Sequence, residues 1–167
     1  MRSDYHSGTT WAKRGQTPVV EKTGARFSVN LISAVSPRGQ LRFMAFNGQM
    51  NADLFIDFLK RLIYRARRPI FLILDGHPVH KAARVREFVE GTAGKLRLYI
   101  LPPYSPNLNP DEWVWNWLKR HNLGKTAIKG PDQLRNLVFH FLRRLQKKPK
   151  LITRFFDDPE LQYILAT

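Results

Sequence analysis

The sequence predicts an α/β fold, a mixed sheet flanked by helices. Two short apolar runs carry that expectation: Ile70-Phe71-Leu72-Ile73-Leu74 and Leu96-Arg97-Leu98-Tyr99-Ile100-Leu101. Stretches with apolar residues at helical spacing lie between and after them. Upstream, two segments rich in β-branched and aromatic residues flank Ser36-Pro37-Arg38-Gly39, which has the chemistry of a hairpin turn. Strands that alternate with helices after an initial hairpin imply a sheet with helices on its faces.

Each element follows from its local pattern. The first twenty residues are polar and turn-rich and read as a loop or irregular hairpin. Residues 26–35 and 40–46 are the two hairpin strands. A helix is expected over 52–66, with Asn51 as its N-cap and Leu54, Phe55, Phe58, Leu59, Leu62, Ile63 and Ala66 on one stripe. Residues 70–74 read as a strand buried on both faces and ending at Asp75. A second helix is expected over 81–91 and a second buried strand over 96–101. A Pro-rich loop, Pro102-Pro103-Tyr104-Ser105-Pro106, follows. Asn109 and Pro110 suit the N-cap and first position of a third helix, 110–121. A fourth helix covers 132–146, and the tail, 150–167, is expected to pack back as a short helix. The order is β-β-α-β-α-β-α-α in one domain.

Composition narrows the function classes. The chain has 167 residues, no cysteine, and 28 Lys plus Arg against 13 Asp plus Glu, a net charge of +15. Without thiols, disulfide scaffolds and Cys-ligated zinc are excluded. A hydrophobic content of 43% with 12% aromatics excludes disorder. No apolar run is long enough to span a bilayer, and the N-terminus lacks the apolar stretch of a signal peptide, so a cytoplasmic location is expected. The charge points to a polyanionic partner, nucleic acid ahead of an anionic membrane.

Two carboxylates stand out. Asp75 sits at the carboxyl end of an apolar strand, where open α/β sheets place their ligand sites; it would also suit a turn before Gly76. Glu112 lies in the first turn of the third helix, where the dipole favours its ionised form, a benefit Asp111 shares. On a helical projection Glu112 shares a face with Trp115, Asn116 and Lys119, whereas Val114, Trp117, Leu118 and His121 form the core-facing stripe. Paired carboxylates suit a hard divalent cation, which takes oxygen ligands and phosphate oxygens together.

The segments Leu72-Ile73-Leu74-Asp75-Gly76-His77-Pro78-Val79-His80-Lys81 and Leu101-Pro102-Pro103-Tyr104-Ser105-Pro106-Asn107-Leu108-Asn109-Pro110-Asp111-Glu112 resemble the second and third signature blocks of the DDE transposases, in the bacterial insertion-sequence family related to Tc1/mariner. Residues 10–18, Thr-Trp-Ala-Lys-Arg-Gly-Gln-Thr-Pro, resemble that family too. The resemblance implies an RNase H-like fold and Mg²⁺- or Mn²⁺-dependent cleavage and joining of DNA strands. Asp75 would be the second and Glu112 the third acid of the catalytic triad. The partners it implies are transposon-end and target DNA, with a second copy of the chain as a candidate homodimer.

The sequence departs from the pattern at its start. The family's first catalytic Asp closes an apolar strand upstream of residues 10–18. Here the only nearby acid is Asp4, with no strand before it. The helix-turn-helix region of the family is also missing. The expectation is an RNase H-like domain lacking its first, central strand, with unpaired strand edges on both sides of the gap.

A zinc site built on Asp75, His77 and His80 lacks a further ligand nearby and sits poorly beside phosphates, so the two histidines read as DNA contacts or as caps of the next helix. Asn116 and Lys119 are weaker DNA-contact candidates beside Glu112. Trp113 and Trp115 read as packing groups that could also stack on a base, and Trp117 as core. Two basic runs, Lys60, Arg61, Arg65, Arg67, Arg68 and Arg143, Arg144, Lys147, Lys148, Lys150, Arg154, exceed what helix-end electrostatics needs. At least one is expected to contact phosphates. The rival functions are a non-catalytic DNA-binding remnant of a transposase and a carbohydrate-active enzyme with paired carboxylates. Neutral glycans do not call for a charge of +15.

Overall fold

The computed structural model of the chain describes residues 28–121 and 129–164. The expectations for Asp4, for residues 10–18 and for the start of the first strand lie outside them.

The hairpin forms as its turn chemistry demands. Strand β1 (Asn30–Val35) pairs antiparallel with β2 (Leu41–Phe46), Ser33 opposite Phe43 and Val35 opposite Leu41. Gly39 closes the turn at φ +77°, in the left-handed region open to glycine. Helix α1 (Ala52–Ile63) starts at Asn51, whose side chain accepts from the Leu54 N–H at 2.9 Å. It stops at Ile63 rather than residue 66, because Tyr64 leaves the helical region and Arg65 takes φ +58°.

Strand β3 (Ile70–Leu74) pairs in parallel with β4 (Leu96–Ile100), Leu72 opposite Leu98. A 3-10 turn, Pro78–Lys81, precedes α2 (Ala83–Glu90), which therefore begins later than the sequence pattern suggested. A second 3-10 turn, Pro106–Leu108, leads into α3 (Pro110–His121). Helix α4 (Pro131–Gln146) follows, then α5 (Pro149–Thr153) and two 3-10 turns, Arg154–Phe156 and Pro159–Ile164.

Among the described residues the strands form two separate pairs rather than one mixed sheet: β1 with β2 and β3 with β4. No described strand bridges the two pairs. The expected combination of antiparallel and parallel pairing is present, divided in two.

The two faces of the hairpin meet different cores. Leu41, with Leu31, Val35 and Phe43, packs against Val114 and Leu118 of α3 and Leu134, Val138, Leu142 and Leu145 of α4. Met44, with Ile32 and Ala34, joins Phe55, Phe58 and Leu59 of α1, Val85 of α2, Leu72 of β3 and Leu96 of β4. Strand alternation dictates this division, since neighbouring residues point to opposite faces.

Among the described residues the parallel pair is covered on one face only, which corrects the expectation of burial on both. Leu72 and Leu96 face the α1 and α2 core, while Phe71 and Tyr99 on the other face are 59% and 50% exposed. Their rings lie 6.2 Å apart, and the Arg97 guanidinium sits 5.8 Å from the Phe71 centroid. Among the described residues no helix is long and apolar enough to cross a membrane.

Candidate active site

Asp75 leaves β3 at its carboxyl end. The strand presents Leu72 and Leu74 to the core beneath α1, so the chain emerges with Asp75 in solvent, its side chain 62% exposed. Its Oδ1 accepts from the His77 backbone N–H at 3.0 Å, which fixes an Asx turn. His80 Nδ1 lies 3.0 Å from the same Oδ1 and 3.2 Å from the Asp75 carbonyl oxygen. Both are acceptors, so the contact requires the proton on Nδ1. Oδ2 has no protein partner among the described residues.

The two histidines have different surroundings. His77 Nδ1 accepts from the Val79 N–H at 3.3 Å and caps the 3-10 turn, leaving the proton on its outer nitrogen. The His80 side chain is only 12% exposed and packs on Phe55, ring centroids 4.6 Å apart. Burial, the largest influence, holds the His80 pKa below its ordinary value, against the pull of the Asp75 carbonyl and carboxylate.

The loop that carries the Pro-Tyr-Ser-Pro motif is tied to the tail. Asn107 Nδ2 donates to Glu160, and the Tyr163 hydroxyl donates to the Leu108 carbonyl at 2.8 Å. Tyr104 at its tip is fully exposed with φ +56°, an uncommon conformation for an aromatic residue. Asn109 caps α3 as expected, its Oδ1 accepting from the Asp111 N–H at 3.0 Å.

The adjacent acids of α3 are separated by environment. Both oxygens of Asp111 meet the Ser33 hydroxyl of β1, at 2.9 and 2.7 Å, and Oδ2 accepts from Trp115 Nε1 at 3.0 Å. Desolvation pushes its pKa up to about 6, although both hydrogen bonds oppose the rise; the neighbouring Glu112 charge adds to it. Glu112 is half-buried; its backbone N–H donates to the Asn109 carbonyl at 3.1 Å, and its side chain makes no hydrogen bond or ion pair among the described residues.

Val114 and Leu118 form the buried stripe of α3. Trp115 departs from the expected polar face: its indole turns to Asp111 and packs against the core. Trp117 is half-buried on the same core, and Trp113 is 40% exposed. Asn116 is exposed and Lys119 half-buried. The side chain of His121 lies outside the described residues.

Asp75 is thus joined with His77 and His80, and Glu112 with the Asp111 turn. No group of three or more His, Cys, Asp or Glu side chains able to hold a metal is present among the described residues. The Ser33–Asp111 link was missed from sequence. Its one signal is a serine inside the otherwise apolar run Leu31-Ile32-Ser33-Ala34-Val35.

An acid at the carboxyl end of a parallel strand, beside a hairpin with helices on both faces, fits the RNase H-like fold. Solved structures share this fold. The strand transfer complex of the Mos1 transposase matches with a TM-score of 0.59 at 16% identity, over 94% of this chain and 49% of that one. The catalytic domain of Mos1 mariner transposase matches at 0.56 and 13% identity, over 87% and 78%. The Mos1 mariner paired end complex with Mn matches at 0.56 and 15%, over 94% and 50%. The chain therefore spans about half the length of the first of these. No curated protein sequence matches it significantly. Residues 1–135 match the DDE superfamily endonuclease family, and the chain belongs to that family.

Proposed function

We propose that residues 1–167 are a single transposase catalytic domain that cleaves and joins the DNA strands of an insertion sequence with the aid of a divalent metal ion. One observation carries this reading beyond family membership. Asp75 is an exposed carboxylate at a strand's carboxyl end, held in place through Oδ1 while Oδ2 has no protein partner among the described residues.

The donor chemistry suits a hard cation, which takes oxygen ligands and commonly only one or two carboxylates beside phosphate oxygens. Asp75 and Glu112 would hold Mg²⁺, or Mn²⁺ in its place. Such an ion supplies charge neutralisation at the phosphate and lowers the pKa of a bound water.

In the cleavage step a water oxygen bonds to phosphorus as the P–O3′ bond breaks and the leaving oxygen takes up a proton. The freed 3′-hydroxyl then attacks a target phosphodiester and displaces another 3′-oxygen. The chain's own groups orient the scissile phosphate, as positioning and charge dominate phosphoryl transfer. His77 and His80 fix the Asp75 carboxylate, and Asn116 and Lys119 flank Glu112.

The partners are transposon-end and target DNA, with a second copy of the chain as a candidate. A net charge of +15 supports this, as do the strand transfer and paired end complexes of the Mos1 relatives. The site of action would be the bacterial cytoplasm, at the nucleoid.

A nicking assay on supercoiled plasmid with Mg²⁺ tests the reading. Cleavage by the full chain, abolished in Asp75→Asn and Glu112→Gln, is the expected result. DNA binding without cleavage would leave the second reading, a non-catalytic DNA-binding remnant.

A further inference from the structure

We infer that the outer face of α4 is a docking surface for the phosphodiester backbone of duplex DNA, separate from the acidic site. This inference rests on the DNA-acting reading above and assigns the contact to one helix.

Helix α4 divides cleanly into two faces. Leu134, Val138, Leu142 and Leu145 are fully buried, and the Gln146 side chain donates to the Leu41 carbonyl at 2.9 Å, so the helix is fixed on the hairpin. The opposite face carries Arg135, His140, Arg143, Arg144 and Lys147, all exposed. They line an open groove of about 490 Å³ together with Asn136 and Phe139.

Two features make this face a receptor rather than a solvated surface. First, its cations are uncommitted: Arg143, Arg144 and Lys147 make no ion pair among the described residues, and Arg135 rests 5.7 Å from the Phe139 ring. The only acid of the helix is Asp132, in its first turn. Second, the span fits. From residue 135 to 147 the helix rises about 18 Å at roughly 1.5 Å per residue. Duplex DNA carries about one charge per 1.7 Å of axis, so several phosphates fall within that length.

The other basic run lacks the second feature, and one of its cations is already paired. Lys60 is paired with Asp57 at 3.5 Å, and Arg65 lies over the Tyr64 ring at 5.2 Å in a left-handed turn. Its cations do not share one rigid helical face, because α1 ends at Ile63. Contacts of the α4 kind position a duplex without reading its sequence.

The test is fluorescence anisotropy of the full chain with a labelled 30-base-pair duplex across a salt series. The comparison is wild type against Arg143→Gln/Arg144→Gln/Lys147→Gln and against a charge-matched control, Arg61→Gln/Arg67→Gln/Arg68→Gln. Each phosphate contact contributes about 0.9 to the salt slope. The α4 variant should lose at least about tenfold in affinity at 0.1 M salt and about 3 in slope, with the control close to wild type. The single variant Arg144→Gln should show a proportionate loss, which keeps the test valid should the triple variant fold poorly. Wild-type affinity in the α4 variants, or a larger loss in the control, overturns the inference and leaves the nuclease reading intact. So does a defect in binding phosphatidylglycerol vesicles with DNA binding unchanged. Failure of the wild type to bind duplex would defeat both.

Discussion

His80 Nδ1 stands 3.0 Å from Asp75 Oδ1, and the imidazole behind it packs on Phe55 of α1. An exposed acid is thereby anchored to a buried helix through one ring. Removing the ring should loosen the carboxylate and open a gap over Phe55. His80→Ala is expected to cost about 1–2 kcal/mol in urea unfolding, with part restored in His80→Asn, which keeps a donor. The pH dependence has a fixed sign. Burial lowers the folded pKa below the ordinary 6.5, so the native state favours neutral imidazole. That contribution is complete above pH 6.5 and is lost as pH falls through it toward the folded value. His80→Asn should flatten this loss; parallel wild-type and variant curves would contradict it.

Asp111 predicts a pH effect in a different window. Its pKa is about 6 in the folded chain against an ordinary 3.8. Below both values the native and unfolded states are protonated alike. Between them the unfolded chain ionises first, so stability falls as pH rises from about 4 to about 6 and then levels. The interval corresponds to about 3 kcal/mol at most. Asp111→Asn should remove the slope and be at least as stable as wild type at pH 7. Its amide can still accept from Trp115 and donate to Ser33. Chemical denaturation at pH 4, 5, 6 and 7 measures the difference; an asparagine variant much less stable at pH 7 would mean that the carboxylate is held ionised.

The elements most legible in the sequence were those with a cap and a period. Asn51 and Asn109 marked the starts of α1 and α3, and the stripes of α1 and α4 became their buried faces. The end of α1 was not legible, since no propensity announces that Arg65 takes φ +58°. The one-sided cover of β3 was hidden as well. A continuous apolar run looks the same whether one face or two are covered, and only tertiary packing separates Leu72 from Phe71. At the site, Asp75 was marked by its strand end and motif. The division between Asp111 and Glu112 needed a contact 78 positions away, Ser33 to Asp111, which no local pattern encodes.

Gly39 and Gly48 offer a matched pair for the cost of a backbone turn. Both take positive φ, +77° and +74°. A Cβ at Gly39 would sit 2.6 Å from the Pro149 carbonyl oxygen, while at Gly48 nothing lies within 4 Å. Gly48→Ala should cost about 1 kcal/mol from conformation alone. Gly39→Ala adds a clash with the backbone of α5 and should cost about 2–4 kcal/mol in total. Equal melting temperatures for the two variants would mean that α5 does not press on the hairpin turn.

The uncovered face of the parallel pair sets the last expectation. Leu72 and Phe71 are neighbours on β3, yet Leu72 is 9% exposed and Phe71 59%. Truncating Leu72 removes a side chain from the α1 core, so Leu72→Ala should cost about 2–5 kcal/mol. Phe71 already faces solvent beside Tyr99 and Arg97. Phe71→Ala should therefore cost less than about 1 kcal/mol, and Phe71→Lys should raise solubility by breaking an exposed apolar patch. Urea unfolding of the two alanine variants decides the matter. A loss of about 3 kcal/mol at Phe71 would show that in solution something covers this face, as parallel strands ordinarily require.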